Sequence, residues 1–260
     1  MNTFQLPGLT IEQSAEILPP HILLLGYVGS TAHGTYAPKS DPNAIDDIDV
    51  MGVCMAPESS YHGLKHFEHK CVQKGEWDAV TYEVRKFVKL LLHQNPNVLG
   101  MLWLRPQDYL LITESGQLLI DNRNLFSSKM AYSSFVGYAH GQFHKMTHNA
   151  CEGYMGKKRK ELVEQFGFDC KNAAHLLRIL RQGIEFLETG VINVFRTDAE
   201  ELIDVKQGKW TLEQVKDEAV RLFNLAAVAR ENSTLPEKPD AEAAEELLMQ
   251  IVRTELGRVY

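Results

Sequence analysis

The sequence predicts an α+β fold: a small mixed sheet flanked by helices, followed by an all-helical C-terminal lobe. Strand patterns are confined to the first half of the chain. Helical apolar spacing sets in at Val84 and runs almost unbroken after residue 125. Strands alternating with helices, then a run of helices, mark a sheet-bearing lobe joined to a helical one. We therefore divide the chain into residues 1–125 and 126–260. With 260 residues, 44% of them apolar, it has enough material for a sizeable core.

Taken in order, residues 10–18 read as a short helix capped by Thr10, and Pro19-Pro20 end it. The apolar run Ile22–Leu25, with Tyr27 and Val28, reads as a buried strand that breaks at a tight turn, Gly29-Ser30. A loop rich in Gly, Pro, Ser and Asn leads to a second strand containing Asp47-Ile48-Asp49-Val50. Pro57 and the following serine pair mark a turn. The stretch 61–71 brings His62, His66, His69 and Cys71 close together, yet Lys65, Glu68 and Lys70 between them favour a solvated segment over a zinc site. Residues 77–83 alternate with β-branched and aromatic members and read as a strand. Val84, Phe87, Val88, Leu91 and Leu92 follow helical spacing, with Arg85, Lys86 and Lys89 on a solvated face. Asn95-Pro96-Asn97 stops that helix. Val98–Leu104 is too apolar for the surface and predicts a buried helix, and 113–122 predicts a short one. Further helices are expected at 130–150, 158–166, 170–188, 197–206, 211–230 and 240–257.

Composition excludes several classes. No apolar run reaches the roughly 18 residues of a membrane span, and the N-terminus lacks a secretory pattern. A net charge of −7 argues against broad nucleic-acid coating, though not against a local basic groove. Four scattered cysteines without a Cys-x-x-Cys pair argue against a disulfide framework or zinc ribbon, so a reducing cytoplasm is the expected setting.

The chemistry concentrates in 23–53. Side chains alternate along a strand, so Asp47 and Asp49 share a face about 7 Å apart. Two carboxylates so placed repel one another unless a cation lies between them. Mg²⁺ suits such a pair because it takes one or two carboxylates and completes its shell with water and phosphate oxygens. Gly29 lets a ligand approach the backbone, and Ser30 adds a hydroxyl. A phosphate cradle beside paired acids describes a nucleotide–metal site. Asp78, at the start of the 77–83 strand, is the preferred third carboxylate, with Glu83 as its rival at a strand-to-helix junction, where it would complement the helix dipole.

In the second lobe, Lys171, His175 and Arg178 stand at i, i+4 and i+7, on one helix face, and could hold a triphosphate or an acceptor strand. Spacing leaves open whether His175 is a base or a phosphate ligand. Asn172 is a possible additional amide. His140, His144 and His148 form a stripe best read as an exposed polar face. Lys157-Lys158-Arg159-Lys160 is the densest basic block, either a solvated face or a phosphate contact.

Gly-Ser after a buried strand, followed by Asp-apolar-Asp-apolar, resembles the polymerase-beta-type nucleotidyltransferase superfamily. The stretches 77–87, 95–97 and 169–180 make the chain most similar to its RNA-ligase-associated branch of predicted nucleotidyltransferases (RlaP-like proteins), over roughly residues 20–210. One departure is the spacing. Sixteen residues separate Ser30 from Asp47, more than the superfamily's usual gap, and Asp41 inside it competes as first carboxylate. Asp47 is preferred because it stands in the Asp-apolar-Asp register.

The resemblance implies a transferase using Mg²⁺ or Mn²⁺ and an NTP such as ATP. Asp47 and Asp49 would hold one ion, Asp49 and Asp78 a second, and Gly29 and Ser30 the β- and γ-phosphates. The resemblance also favours an acid near Asp78 and carries Lys171, His175 and Arg178 over as functional positions. The implied acceptor is an RNA end, with an RNA ligase in the same repair pathway. A protein or small-molecule acceptor, or a non-catalytic nucleotide-binding module, are the alternatives. Base choice and oligomeric state do not follow from the sequence.

Overall fold

The computed structural model describes residues 4–37, 46–147 and 157–259. Helix α1, Ile11–Ile17, begins with a capping box between Thr10 and Gln13. Strand β1, Ile22–Tyr27, is buried over nearly its whole length and leads to a five-residue helix α2, Gly29–His33. Strands β2 (Ile48–Cys54), β3 (His69–Lys74) and β4 (Trp77–Glu83) follow. Helix α3, Val84–Leu92, starts directly at the end of β4. The single turn α4, Pro96–Leu99, continues as a 3-10 turn over Gly100–Trp103. Strand β5, Tyr109–Ile112, and helix α5, Glu114–Asp121, complete the sheet-bearing half. The helical half comprises α6 (Ala131–Thr147), α7 (Lys157–Phe166), α8 (Cys170–Thr189), α9 (Ala199–Lys206), α10 (Leu212–Asn232) and α11 (Ala241–Val259).

The five strands lie in the order β3-β4-β2-β1-β5. β2 and β4 run parallel, and the other neighbours antiparallel, so the sheet is mixed. A register shift between Ile22 and Leu24 sends Leu23 and Leu24 together into the larger core cluster. Ile22 and Leu25 instead join Leu6, Ile17, Val50 and Trp77 in a smaller one. The larger cluster joins Met51 and Val53 of β2, Phe87 and Leu91 of α3, Leu176, Leu177 and Leu180 of α8, and Ile251 of α11. Side chains from both sides of residue 125 thus occupy one core. α8 is its axis, packed between α6 and α10, while α11 returns to cover α3 and α5.

Three details differ from the sequence expectations. β3 lies partly within the stretch read as solvated. It is an edge strand whose residues alternate between exposed and half-buried, so it lacks the apolar signature of a strand. β5 is the other edge, only four residues long. The buried segment 98–104 winds from α to 3-10 geometry at Gly100 instead of forming one helix.

Candidate active site

The end of β1 is tied to β2 by the Val28 amide, which donates to the Asp49 carbonyl at 2.9 Å. Gly29 then turns the chain with φ +59° and opens α2. A Cβ at this position would lie 1.9 Å from Asp49 Oδ2, so both backbone conformation and space require glycine. Asp49 stands in register with Asp78 across the parallel β2–β4 pair. Neighbouring strands are about 5 Å apart, which sets the two carboxylates side by side. Asp47 lies just before β2, half-buried, and its charge acts on both Asp49 and Asp78.

Glu83 has a different environment. Its buried carboxylate caps α3 through the Lys86 amide at 3.1 Å, accepts from the Tyr61 hydroxyl at 2.8 Å, and pairs with Arg85 at 3.0 Å. Five positions beyond Asp78 on the same strand, it belongs to the opposite face.

Gly29, Ser30, Asp49 and Asp78 line one side of a cavity of about 580 Å³, and Lys171, His175 and Arg178 of α8 line the other. That volume suits a small-molecule site. Asp47 is not part of the lining. The Ser30 hydroxyl and His175 Nε2 are both buried without a hydrogen-bond partner. Arg178 is buried and donates to His175 Nδ1 at 2.9 Å and to Gln182 Oε1 at 2.6 Å.

Sequence reasoning did not single out three further residues of the cavity wall. Asp46 is buried, accepts from the Ala37 amide at 2.9 Å, and forms an ion pair with Lys206 at the end of α9. Lys171 approaches its other oxygen at 3.5 Å, an ion pair without a hydrogen bond. Lys206 also donates to the Thr35 carbonyl at 3.1 Å. His33, on α2, sets Nδ1 3.0 Å from the Val194 carbonyl, and the Arg196 amide donates back to the His33 carbonyl at 3.2 Å. The helical half therefore grips the segment that carries the Gly-Ser turn. The adjacency of Asp46 to Asp47 was the only local signal for any of these contacts.

The remaining basic candidates lie elsewhere. Arg159 is bound to Asp169 at 2.7 Å and to Asn172 Oδ1 at 2.9 Å, which ties α7 to the start of α8 and engages the Asn172 amide oxygen. Lys160 is exposed. His140 stacks on Phe223 with ring centroids 4.1 Å apart, and His144 is exposed. Asp41, His148 and the side chains of Lys157 and Lys158 lie outside the described residues.

Electrostatically, the acids are under tension. Burial, followed by the charges of Asp78, Asp47 and Asp46, raises Asp49 to about 6, against the opposing pull of Lys171. Burial and Asp47 also raise Asp78. Burial lowers Lys206 despite its ion pair. His33 and His175 are held well below the ordinary histidine range, by burial first and then by Arg178. Burial brings Arg178 down to about 10, which leaves it charged at neutral pH. Among the described residues, no three His, Cys, Asp or Glu groups gather closely enough to enclose a cation unaided. A carboxylate pair of this kind fits a magnesium-type ion, whose other positions go to water and phosphate. No helix among the described residues is long and apolar enough to cross a membrane.

Among solved structures, the chain is similar to a nucleotidyltransferase-like protein from Exiguobacterium sibiricum. The two share 10% identity over 94% of this chain and 77% of the other, with a TM-score of 0.30, too slight a likeness to carry weight. No curated protein matches the chain. The profile of the RNA repair pathway DNA polymerase beta family (RlaP) matches residues 9–250, and the chain belongs to that family of nucleotidyltransferases.

Proposed function

We propose that the protein is a metal-dependent nucleotidyltransferase that moves an NMP from an NTP to a hydroxyl acceptor at an RNA end, with release of pyrophosphate. The observation that carries this reading is the contact of Gly29 with the Asp49 carboxylate, beside Asp78 in register. It sets the Gly-Ser turn, with its unpartnered Ser30 hydroxyl, against a pair of acids whose mutual repulsion calls for a cation. The family's description, which names an RNA repair pathway, supports an RNA end as acceptor, and the sequence resemblance adds an RNA ligase in the same pathway as partner.

Asp49 and Asp78, with Asp47 beside them, are the residues that would hold Mg²⁺ or Mn²⁺. When bound, such an ion neutralises phosphate charge and makes an incoming hydroxyl more acidic. Gly29 makes room for the Asp49 carboxylate against the turn, and the Ser30 hydroxyl has a hydrogen bond to give to the β- and γ-phosphates. Lys171, His175 and Arg178 supply positive charge and donors on the facing wall. The acceptor hydroxyl attacks the α-phosphorus in line, and positioning supplies most of the acceleration.

The test offers α-labelled ATP, GTP, CTP and UTP with Mg²⁺ or Mn²⁺ to RNAs, DNA and the protein itself. Metal-dependent label in RNA is expected. Label in the protein would make a protein side chain the acceptor. Nucleotide bound without any transfer would indicate a non-catalytic binding module.

A further inference from the structure

The hydrogen bonds at the centre of α8 have a fixed direction. Arg178 Nη2 lies 2.9 Å from His175 Nδ1, and Nη1 lies 2.6 Å from Gln182 Oε1. A guanidinium has donors and no acceptor, so His175 must accept at Nδ1. An imidazole that accepts there is neutral and carries its proton on Nε2. Gln182 is itself oriented, since its amide nitrogen donates to the Asn193 carbonyl at 3.1 Å, which leaves its oxygen for Arg178. His33 has the opposite polarity: its Nδ1 faces a carbonyl and must donate. The polarity of His175 is therefore imposed by Arg178.

Two features of this chain point to a missing acceptor. The His175 Nε2–H is buried without a partner beside the cavity, a costly state for a donor. Both hydrogen bonds of the buried Arg178 go to neutral groups, whereas Arg181 and Arg196 hold carboxylates. The charges acting on His175 are Arg178, Lys171, Arg159 and Lys145, all positive, which favours an anionic acceptor for its donor.

We infer that Arg178 acts on the substrate through His175: it fixes the imidazole as a neutral one-way donor whose Nε2–H binds a triphosphate oxygen. His175 is then a phosphate ligand and not the base that deprotonates the acceptor hydroxyl, and Arg178 is a positioning residue. The identity of the acceptor rests on the NTP reading above, whereas the polarity rests on the geometry alone.

NMR of the ¹⁵N-labelled imidazoles in the full chain tests the polarity without any need for activity. His175 should show a protonated Nε2 and an unprotonated Nδ1, unchanged between about pH 6 and 8, where an ordinary histidine titrates. Arg178→Gln should release this lock and yield mixed tautomers or a titrating ring. Tripolyphosphate with Mg²⁺ should move the Nε2–H resonance downfield. His175→Gln places an amide donor near the Nε2 position and should keep the Kd for a nonhydrolysable NTP within about threefold. His175→Phe should weaken it by roughly 10- to 100-fold. A proton on Nδ1 with normal nucleotide binding would overturn the inference alone. So would a His175→Gln variant that binds nucleotide normally but loses kcat together with one limb of its pH–rate profile, the mark of a base. The Nε2–H form in a protein that binds neither tripolyphosphate nor nucleotide would instead overturn the functional reading and the acceptor named here.

Discussion

Asp49 carries a charge that the folded chain opposes. Its carboxyl is raised to about 6, chiefly by burial and the neighbouring acids, so the native state binds a proton that the unfolded chain has already released. Stability is therefore unaffected below about pH 4, falls as pH rises through 4 to 6, and carries the full penalty above that. Asp49→Asn should abolish nucleotidyl transfer yet raise the metal-free melting temperature at pH 7.5 by roughly 2–8 °C. The gain should vanish near pH 4, and a loss of stability at pH 7.5 would mark Asp49 as a structural acid. Proton and cation compete for this carboxylate, so stabilisation by Mn²⁺ should shrink as pH falls through 6. Gly29 admits no side chain because the Asp49 oxygen occupies the Cβ position. Gly29→Ala should displace the carboxylate and reduce kcat/KM by at least about 100-fold, the scale of a misplaced catalytic group. A variant with near-normal turnover would remove the contact from the mechanism.

At the scale of elements, α2 is held in place from the helical half. Asp46 before β2 pairs with Lys206 of α9, the Lys206 ammonium reaches the Thr35 carbonyl, and His33 meets Val194. Lys206→Met leaves a buried carboxylate with weaker compensation, and should cost about 3 kcal/mol in urea unfolding while raising KM for NTP. The Lys206→Met, Asp46→Asn double variant should recover part of that stability, and simple additivity would mean that the pair is not coupled. None of this was legible in the sequence, because Asp46 and Lys206 are 160 positions apart and an ion pair leaves no periodic trace. The helices were legible because apolar spacing repeats over several turns, as in α8. The edge strands β3 and β5 were not, since one lacks a buried face and the other is too short to show alternation.

For the whole molecule, the larger core cluster draws on β1, β2, α3, α8 and α11 together. A boundary near residue 125 separates two kinds of secondary structure, but the hydrophobic interior crosses it. Residues 1–125 expressed alone would expose the cluster face of the sheet to water, an aggregation hazard. The full chain should unfold in one cooperative transition, with circular dichroism and tryptophan fluorescence coincident. Separated transitions would show that the lobes fold independently. The same crossing explains why the sequence offered Lys171, His175 and Arg178 as one helix face without placing that face opposite the acids. Asp49 and Asp78 meet in strand register, while the α8 wall becomes part of the cavity only through packing against the sheet.

The most direct test of that acid-and-glycine site is calorimetric titration of a Mn²⁺-loaded, nonhydrolysable NTP into the wild type and into folded Asp49→Asn and Asp78→Asn variants. The expected result is saturable binding that requires the metal in the wild type and weakens at least roughly tenfold in each variant. Equal affinity in all three proteins, with or without the ion, would contradict it.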